Sequence, residues 1–118
     1  MNQGGAMTAN YLHLVLTSPT PGAEDEFNEW YDNVHVPEVL QMPGFLSGRR
    51  FRLVSPDPAD SPRYLAVYEI ESDDIQATLR RIPEMAPSRT KSTAIDISVS
   101  VVRMYEAISA LQRTVDAE

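Results

Sequence analysis

The run Leu12-His13-Leu14-Val15-Leu16-Thr17 constrains this chain more than any other segment. It is densely apolar and closes on Ser18-Pro19-Thr20-Pro21-Gly22, which reads as a strand entering a Pro-rich turn. Leu12, Leu14 and Leu16 make one wholly apolar face. Tyr11, His13, Val15 and Thr17 make a mixed one. A strand with apolar content on both faces is covered on both sides. The fold must therefore supply two covers for one sheet.

Ala23 to Val34 carries Phe27, Trp30, Tyr31 and Val34 at the i, i+3, i+4, i+7 spacing of an amphipathic helix. Glu24, Asp25 and Glu26 sit in its first turn and favour the positive end of the dipole. Pro37 has no N–H to offer Asn33 and disfavours the α region at Val36, which predicts an end or kink near His35. It also suits the start of a short second piece, Pro37 to Gln41. Pro43-Gly44 is a turn. Phe45 to Leu53 reads as a second strand with Phe45, Phe51 and Leu53 in phase, and 56–62 as a polar loop.

Tyr64 to Ile70 is a third strand. Ser72 is the expected N-cap of a helix carrying Ile75, Leu79 and Ile82, which Pro83 stops. Pro83 to Thr93 is a loop with room for a turn of helix. Ile95 to Tyr105 alternates Ile95, Ile97, Val99 and Val101 with Asp96, Ser98 and Ser100, as a fourth strand does. The order is β-α-β-β-α-β, an α+β, ferredoxin-like arrangement: two helices on one face of a four-stranded antiparallel sheet. The other face keeps apolar side chains, Val15 among them if Leu12, Leu14 and Leu16 meet the helices. A second copy of the chain is the simplest cover, giving a barrel from two sheets. The expected division is a flexible N-terminal tail over 1–10, one domain over 11–106 and a C-terminal tail over 107–118, part of it open to helix formation.

At 118 residues the chain makes one domain. A formal charge of −7 argues against binding nucleic acid through phosphates. No apolar run reaches the roughly 20 residues that span a bilayer, so no membrane partner is expected. The absence of cysteine removes thiolate catalysis and thiolate metal sites and fits a cytoplasmic setting. The glycines nowhere form G-x-G-x-x-G, and no serine lies in a nucleophile elbow. The two histidines have no H-x-x-x-H or H-x-H spacing, so neither a metal nor a cofactor is expected.

The stretch Glu26 to Arg52, EFNEWYDNVHVPEVLQMPGFLSGRRFR, resembles the central motif of EthD-like and related dimeric α/β-barrel proteins. There an aromatic helix ends in Trp/Tyr-x-x-x-His-x-Pro, followed by Pro-Gly-Phe and an arginine-bearing strand. The matching residues are Trp30, Tyr31, His35, Pro37, Pro43, Gly44 and Phe45. The resemblance implies a homodimeric α/β barrel. The wider superfamily holds isomerases, polyketide cyclases, cofactor-free monooxygenases and haem-degrading enzymes, and a shared fold does not choose among them.

His35 is the leading chemical candidate. It follows Tyr31 by one turn, and a helix C-terminus would favour its imidazolium. Asp32 and Glu38 lie three residues away on either side, placed to hold a ring nitrogen. Such a histidine titrates near neutrality and exchanges protons with a bound carbonyl compound. A cap on the helix end is the plainer role. His13 reads as a half-buried, hydrogen-bonded strand residue. Tyr31, Trp30 and Tyr68 are candidates for the wall of an aromatic pocket, although such residues more often only fill a core. Arg49 and Arg50 point to opposite faces of their strand. One of them, with Arg49 the choice, could meet a substrate carboxylate or the partner subunit, although a surface salt bridge is the plainer role for either.

The function these residues describe is a small cofactor-independent enzyme of catabolic or secondary metabolism, of isomerase, cyclase or lyase type, using His35 as acid/base on an apolar or aromatic carbonyl compound. The alternatives are a non-catalytic small-molecule-binding protein and a cofactor-free monooxygenase.

Overall fold

A computed structural model describes residues 8–55 and 62–115. In order come β1 (Ala9–Thr17), α1 (Glu24–Trp30), a π turn (Tyr31–His35), α2 (Val36–Val39), β2 (Phe45–Arg52), β3 (Tyr64–Ser72), α3 (Ile75–Met85) and β4 (Val101–Glu106). The strands form one antiparallel sheet in the order β2-β3-β1-β4. This is the ferredoxin-like α+β fold. β1 begins inside the expected N-terminal tail; residues 1–7 and most of the polar loop, 56–61, lie outside the described residues. Residues 107–115 contain no helix. Among the described residues no helix is long and apolar enough to cross a membrane.

β1 is central, paired with β3 from Ala9–Ser72 to Thr17–Tyr64 and with β4 from Tyr11–Glu106 to Leu16–Val101. Its mixed face meets the helices: His13 and Thr17 are buried, and Tyr11 and Val15 pack on the core. The all-leucine face points the other way, the reverse of the assumption under which Val15 was left open. Strand periodicity defines two faces but does not say which takes the helices. The helices bring Phe27 and Tyr31, and large aromatic rings above pair well with Ala66 and Thr17 below.

Pro37 does not end the helix. Val36 stays helical at φ −59° and ψ −47°, and its N–H donates to the Tyr31 carbonyl five residues back. The widened π turn absorbs the clash and the missing donor that a strict α register would suffer. Backbone therefore runs helically from Glu24 to Val39.

Phe45 and Phe51 are not in phase. The register shifts between Phe45, opposite Ile70, and Ser47, opposite Glu69, so one extra residue sits on β2. That bulge puts Phe45 in the core and Phe51 on the open face. At Gly44, φ is +88° and an added Cβ would lie 2.7 Å from the Glu71 carbonyl oxygen, so the turn into β2 needs glycine.

Two boundaries also differ from the sequence reading. Asp74, not Ser72, caps α3 by accepting from the Ala77 N–H at 3.1 Å, while Ser72 Oγ accepts from the Asp74 N–H. The helix then runs through Pro83 to Met85. β4 starts only at Val101, because Asp96 accepts from the Ser98 N–H and hydroxyl and folds Ile97–Val99 into a 3₁₀ turn.

Candidate functional site

Gly48, Tyr68, His13 and Met104 stand in one cross-strand row on the helix side of the sheet. Glycine at 48 leaves room for what lies above it. A Cβ there would come within 3.1 Å of both the Tyr68 ring and Val36 Cγ1. The helix thus lies close on the sheet where the π turn passes into α2, and the turn carries Tyr31 and His35.

His35 is half-buried. Its imidazole stacks on Trp30, with centroids 4.6 Å apart and planes 23° from parallel, and meets the edge of Tyr31 at 5.0 Å. Two of the three pocket-wall candidates, Trp30 and Tyr31, are therefore its neighbours. Its Nδ1 is shut from solvent without a hydrogen-bond partner among the described residues. Burial first, then the Arg89 guanidinium, lower its pKa from 6.5 to about 4, against a weaker opposing pull from Glu38. This corrects the expectation of titration near neutrality. The helix does not end at His35, so no dipole terminus is there to support a charge.

Neither expected carboxylate holds the ring. Asp32 pairs with Arg50 at 2.8 Å. Glu38 accepts from the Thr90 N–H and hydroxyl, each at 2.8 Å. The Trp30 indole donates to the Thr90 carbonyl at 3.2 Å, so the segment after α3 is tied to both neighbours of His35.

Tyr68 and Tyr31 are each 1% exposed. Tyr31 rests in the core beside the Thr17 side chain, and burial raises its pKa. The Tyr68 hydroxyl has no hydrogen-bond partner among the described residues. Burial, chiefly, pushes its pKa far up, so it remains a proton donor. His13, 7% exposed, lies 5.8 Å from the Tyr68 ring and 6.2 Å from Phe45. Its Nδ1 is also unpaired, contrary to the expected satisfied histidine, and burial and Arg89 lower its pKa. Among the described residues, three polar atoms without partners thus sit in the layer between helix and sheet. Such atoms are uncommon in native cores and costly to leave unpaired.

The two arginines part as strand alternation requires. Arg50 lies under the helix, with Nη2 donating to Asn28 Oδ1 at 2.8 Å and Cζ 4.6 Å from the Tyr31 ring centre. Arg49, opposite Val67, is exposed on the far face. The structure therefore brings Trp30, Tyr31, His35 and Tyr68 into one region and leaves Arg49 outside it, on the face turned from the helices. Among the described residues, no three His, Asp or Glu side chains converge as a metal site would require.

Arg89 and Gly48 were not singled out by the sequence. Arg89, whose Nη2 lies 3.1 Å from Met42 Sδ, comes from an irregular segment with no period to betray its direction. Gly48 did carry a signal, since a glycine inside a strand pattern marks close approach.

The family model described as DUF4286, a domain of unknown function, matches residues 11–85. Among solved structures, the haem degrader MhuD from Mycobacterium tuberculosis, with two haems bound in its active site, aligns at 22% identity and TM-score 0.57 over 86% of this chain and 99% of that one. A mutant MhuD with two manganese protoporphyrin IX molecules per active site gives 22% and 0.57 over 87% and 99%. An ethyl tert-butyl ether d (EthD) family protein from Bacillus halodurans gives 20% and 0.56 over 83% and 99%. No curated protein matches the chain. The structural likenesses show the fold alone, the ferredoxin-like α+β fold that these proteins share with the chain. The family match spans well over half of the 118 residues, and the chain belongs to the DUF4286 family.

Proposed function

We propose that the protein binds a small apolar or aromatic carbonyl compound beside His35, where the closely packed π turn must part from the sheet to admit it, and moves a proton next to the carbonyl. The observation that carries this reading is the set of unpaired buried atoms: His35 Nδ1, His13 Nδ1 and Tyr68 Oη. A core built only for stability would replace them with apolar groups. With its pKa held near 4, His35 is uncharged at neutral pH and acts as an acceptor, taking the proton from the carbon beside the carbonyl. Tyr68 keeps its proton and donates a hydrogen bond to the oxygen that gathers charge. Trp30 and Tyr31 fix the imidazole by stacking and edge contact. Isomerisation, cyclisation and elimination all begin with this step.

One observation favours a second reading, a binding protein without turnover. A base with a pKa near 4 is weak for work at pH 7, where the best catalysts titrate close to the medium.

The reading is kept cofactor-independent, in line with the lack of a G-x-G-x-x-G motif and of metal-ligand histidine spacing in the sequence.

The working unit is proposed to be a homodimer. Leu12, Leu14, Leu16, Leu65, Val67, Phe51, Val101 and Tyr105 share the face turned from the helices, with Phe51 45% and Tyr105 56% exposed. A second sheet laid on that face would bury it. The lack of cysteine supports a cytoplasmic setting. Native mass spectrometry of freshly purified protein tests the binding half of the proposal. Wild type should carry a bound organic mass that His35→Gln and Tyr68→Phe lose; retention in both variants would contradict it.

A further inference from the structure

Beyond β4 the chain leaves the sheet. The Ala107 N–H donates to the Asn10 carbonyl at 2.8 Å, and residues 108–115 then make no hydrogen bond among the described residues. They form neither helix nor strand. Every side chain over 107–115 is exposed, and three are large and apolar: Ile108 at 95%, Leu111 at 77% and Val115 at 92%. Holding such a segment in one course costs conformational entropy, and among the described residues its own chain offers little to offset that cost.

The segment stands off its own sheet. The 109–112 stretch, Leu111 included, forms one wall of a cavity of about 600 Å³. Its floor is Leu12 with the cross-strand partners Glu69 and Tyr105, on the face turned from the helices, and Leu46, 60% exposed, also lines it. Leu12 belongs to the all-leucine face, so the cavity continues the surface proposed to meet a second copy. Charge points to the same occupant. Residues 107–115 contain no Asp or Glu and one cation, Arg113, in a chain of net charge −7. This stretch can therefore lie against another copy without like-charge repulsion. An interface between identical copies is isologous, so each segment that reaches over the partner is matched by the partner's own.

We propose that residues 107–115 are a clasp: in the homodimer each copy's segment folds over the sheet of the other, whose apolar side chains fill the cavity between Leu111 and the Leu12–Leu46 side. The clasp rests on the homodimer reading above and adds the element that locks the two copies together.

Sedimentation velocity of the full chain over a dilution series tests it. Leu111→Ser and Leu46→Ser, one from each side of the cavity, should each raise the dimer dissociation constant about tenfold per copy, hence about a hundredfold, because the contact is lost twice. Both side chains are exposed within one chain, so far-UV circular dichroism should not change. The chain has no cysteine, so Leu111→Cys accepts a single benzophenone maleimide, and irradiation should give a covalent dimer on a denaturing gel. A wild-type dimer whose dissociation constant stays within about twofold in both serine variants would overturn the clasp and leave the homodimer standing. So would benzophenone that gives no covalent dimer. A wild-type monomer at micromolar concentration would overturn both.

Discussion

Replacing His35 with Gln removes a group that resists protonation, so the variant should withstand acid better than wild type. The unfolded imidazole takes its proton near pH 6.5, whereas the folded one stays neutral down to about 4. Between those values the unfolded state binds more protons, so this residue costs stability as pH falls from about 7, and the loss levels off below about 4. The gap of 2.5 pH units sets an upper limit of about 3.4 kcal/mol, at about 1.36 kcal/mol per unit. Part of the ring remains within reach of water, which screens the effect and brings the expected figure to about 2 kcal/mol. Urea denaturation of both proteins at pH 7.5 and 4.5 measures it. Wild type should lose about 2 kcal/mol more than His35→Gln over that interval. His13 and the carboxylates titrate in both proteins and largely cancel in the difference. An equal acid loss in the two, or a His35 resonance titrating at about 6 or above, would refute the reasoning.

Tyr68→Phe should raise stability by about 1 kcal/mol while weakening ligand retention, because it deletes a buried hydroxyl that has no partner in the fold; thermal denaturation and native mass spectrometry read the two effects. Gly48→Ala should cost about 1–3 kcal/mol in urea denaturation, since the new methyl presses on Tyr68 and Val36 together. Sedimentation velocity should show wild type at twice the mass of the chain and Leu14→Asp at the mass of one, because Leu14 stands mid-strand on the open face between Val67 and Arg103. A wild-type monomer at micromolar concentration would remove the dimer from the account.

The sequence displayed the order of elements because each strand and helix has its own period and its own punctuation. It displayed the stripe that brings Trp30, Tyr31 and His35 together for the same reason. It did not display what depends on contacts between elements. Which face of β1 meets the helices follows from the size of the rings above it, not from alternation. The bulge between Phe45 and Ser47 reverses the phase of β2 without any turn residue to announce it. The π turn keeps Pro37 inside a helix that local rules would break. Arg89 was hidden for a different reason: irregular backbone carries no period, so its approach to both histidines shows only in three dimensions.

The central claim is that His35 accepts a proton from a carbon beside a carbonyl. It is tested most directly by hydrogen–deuterium exchange in D₂O, followed by proton NMR on a panel of small cyclic and aryl ketones. The account predicts that wild type speeds α-proton exchange of at least one of them and that His35→Gln, folded and dimeric like wild type, does not. Exchange that proceeds equally in the presence of wild type and His35→Gln would contradict it.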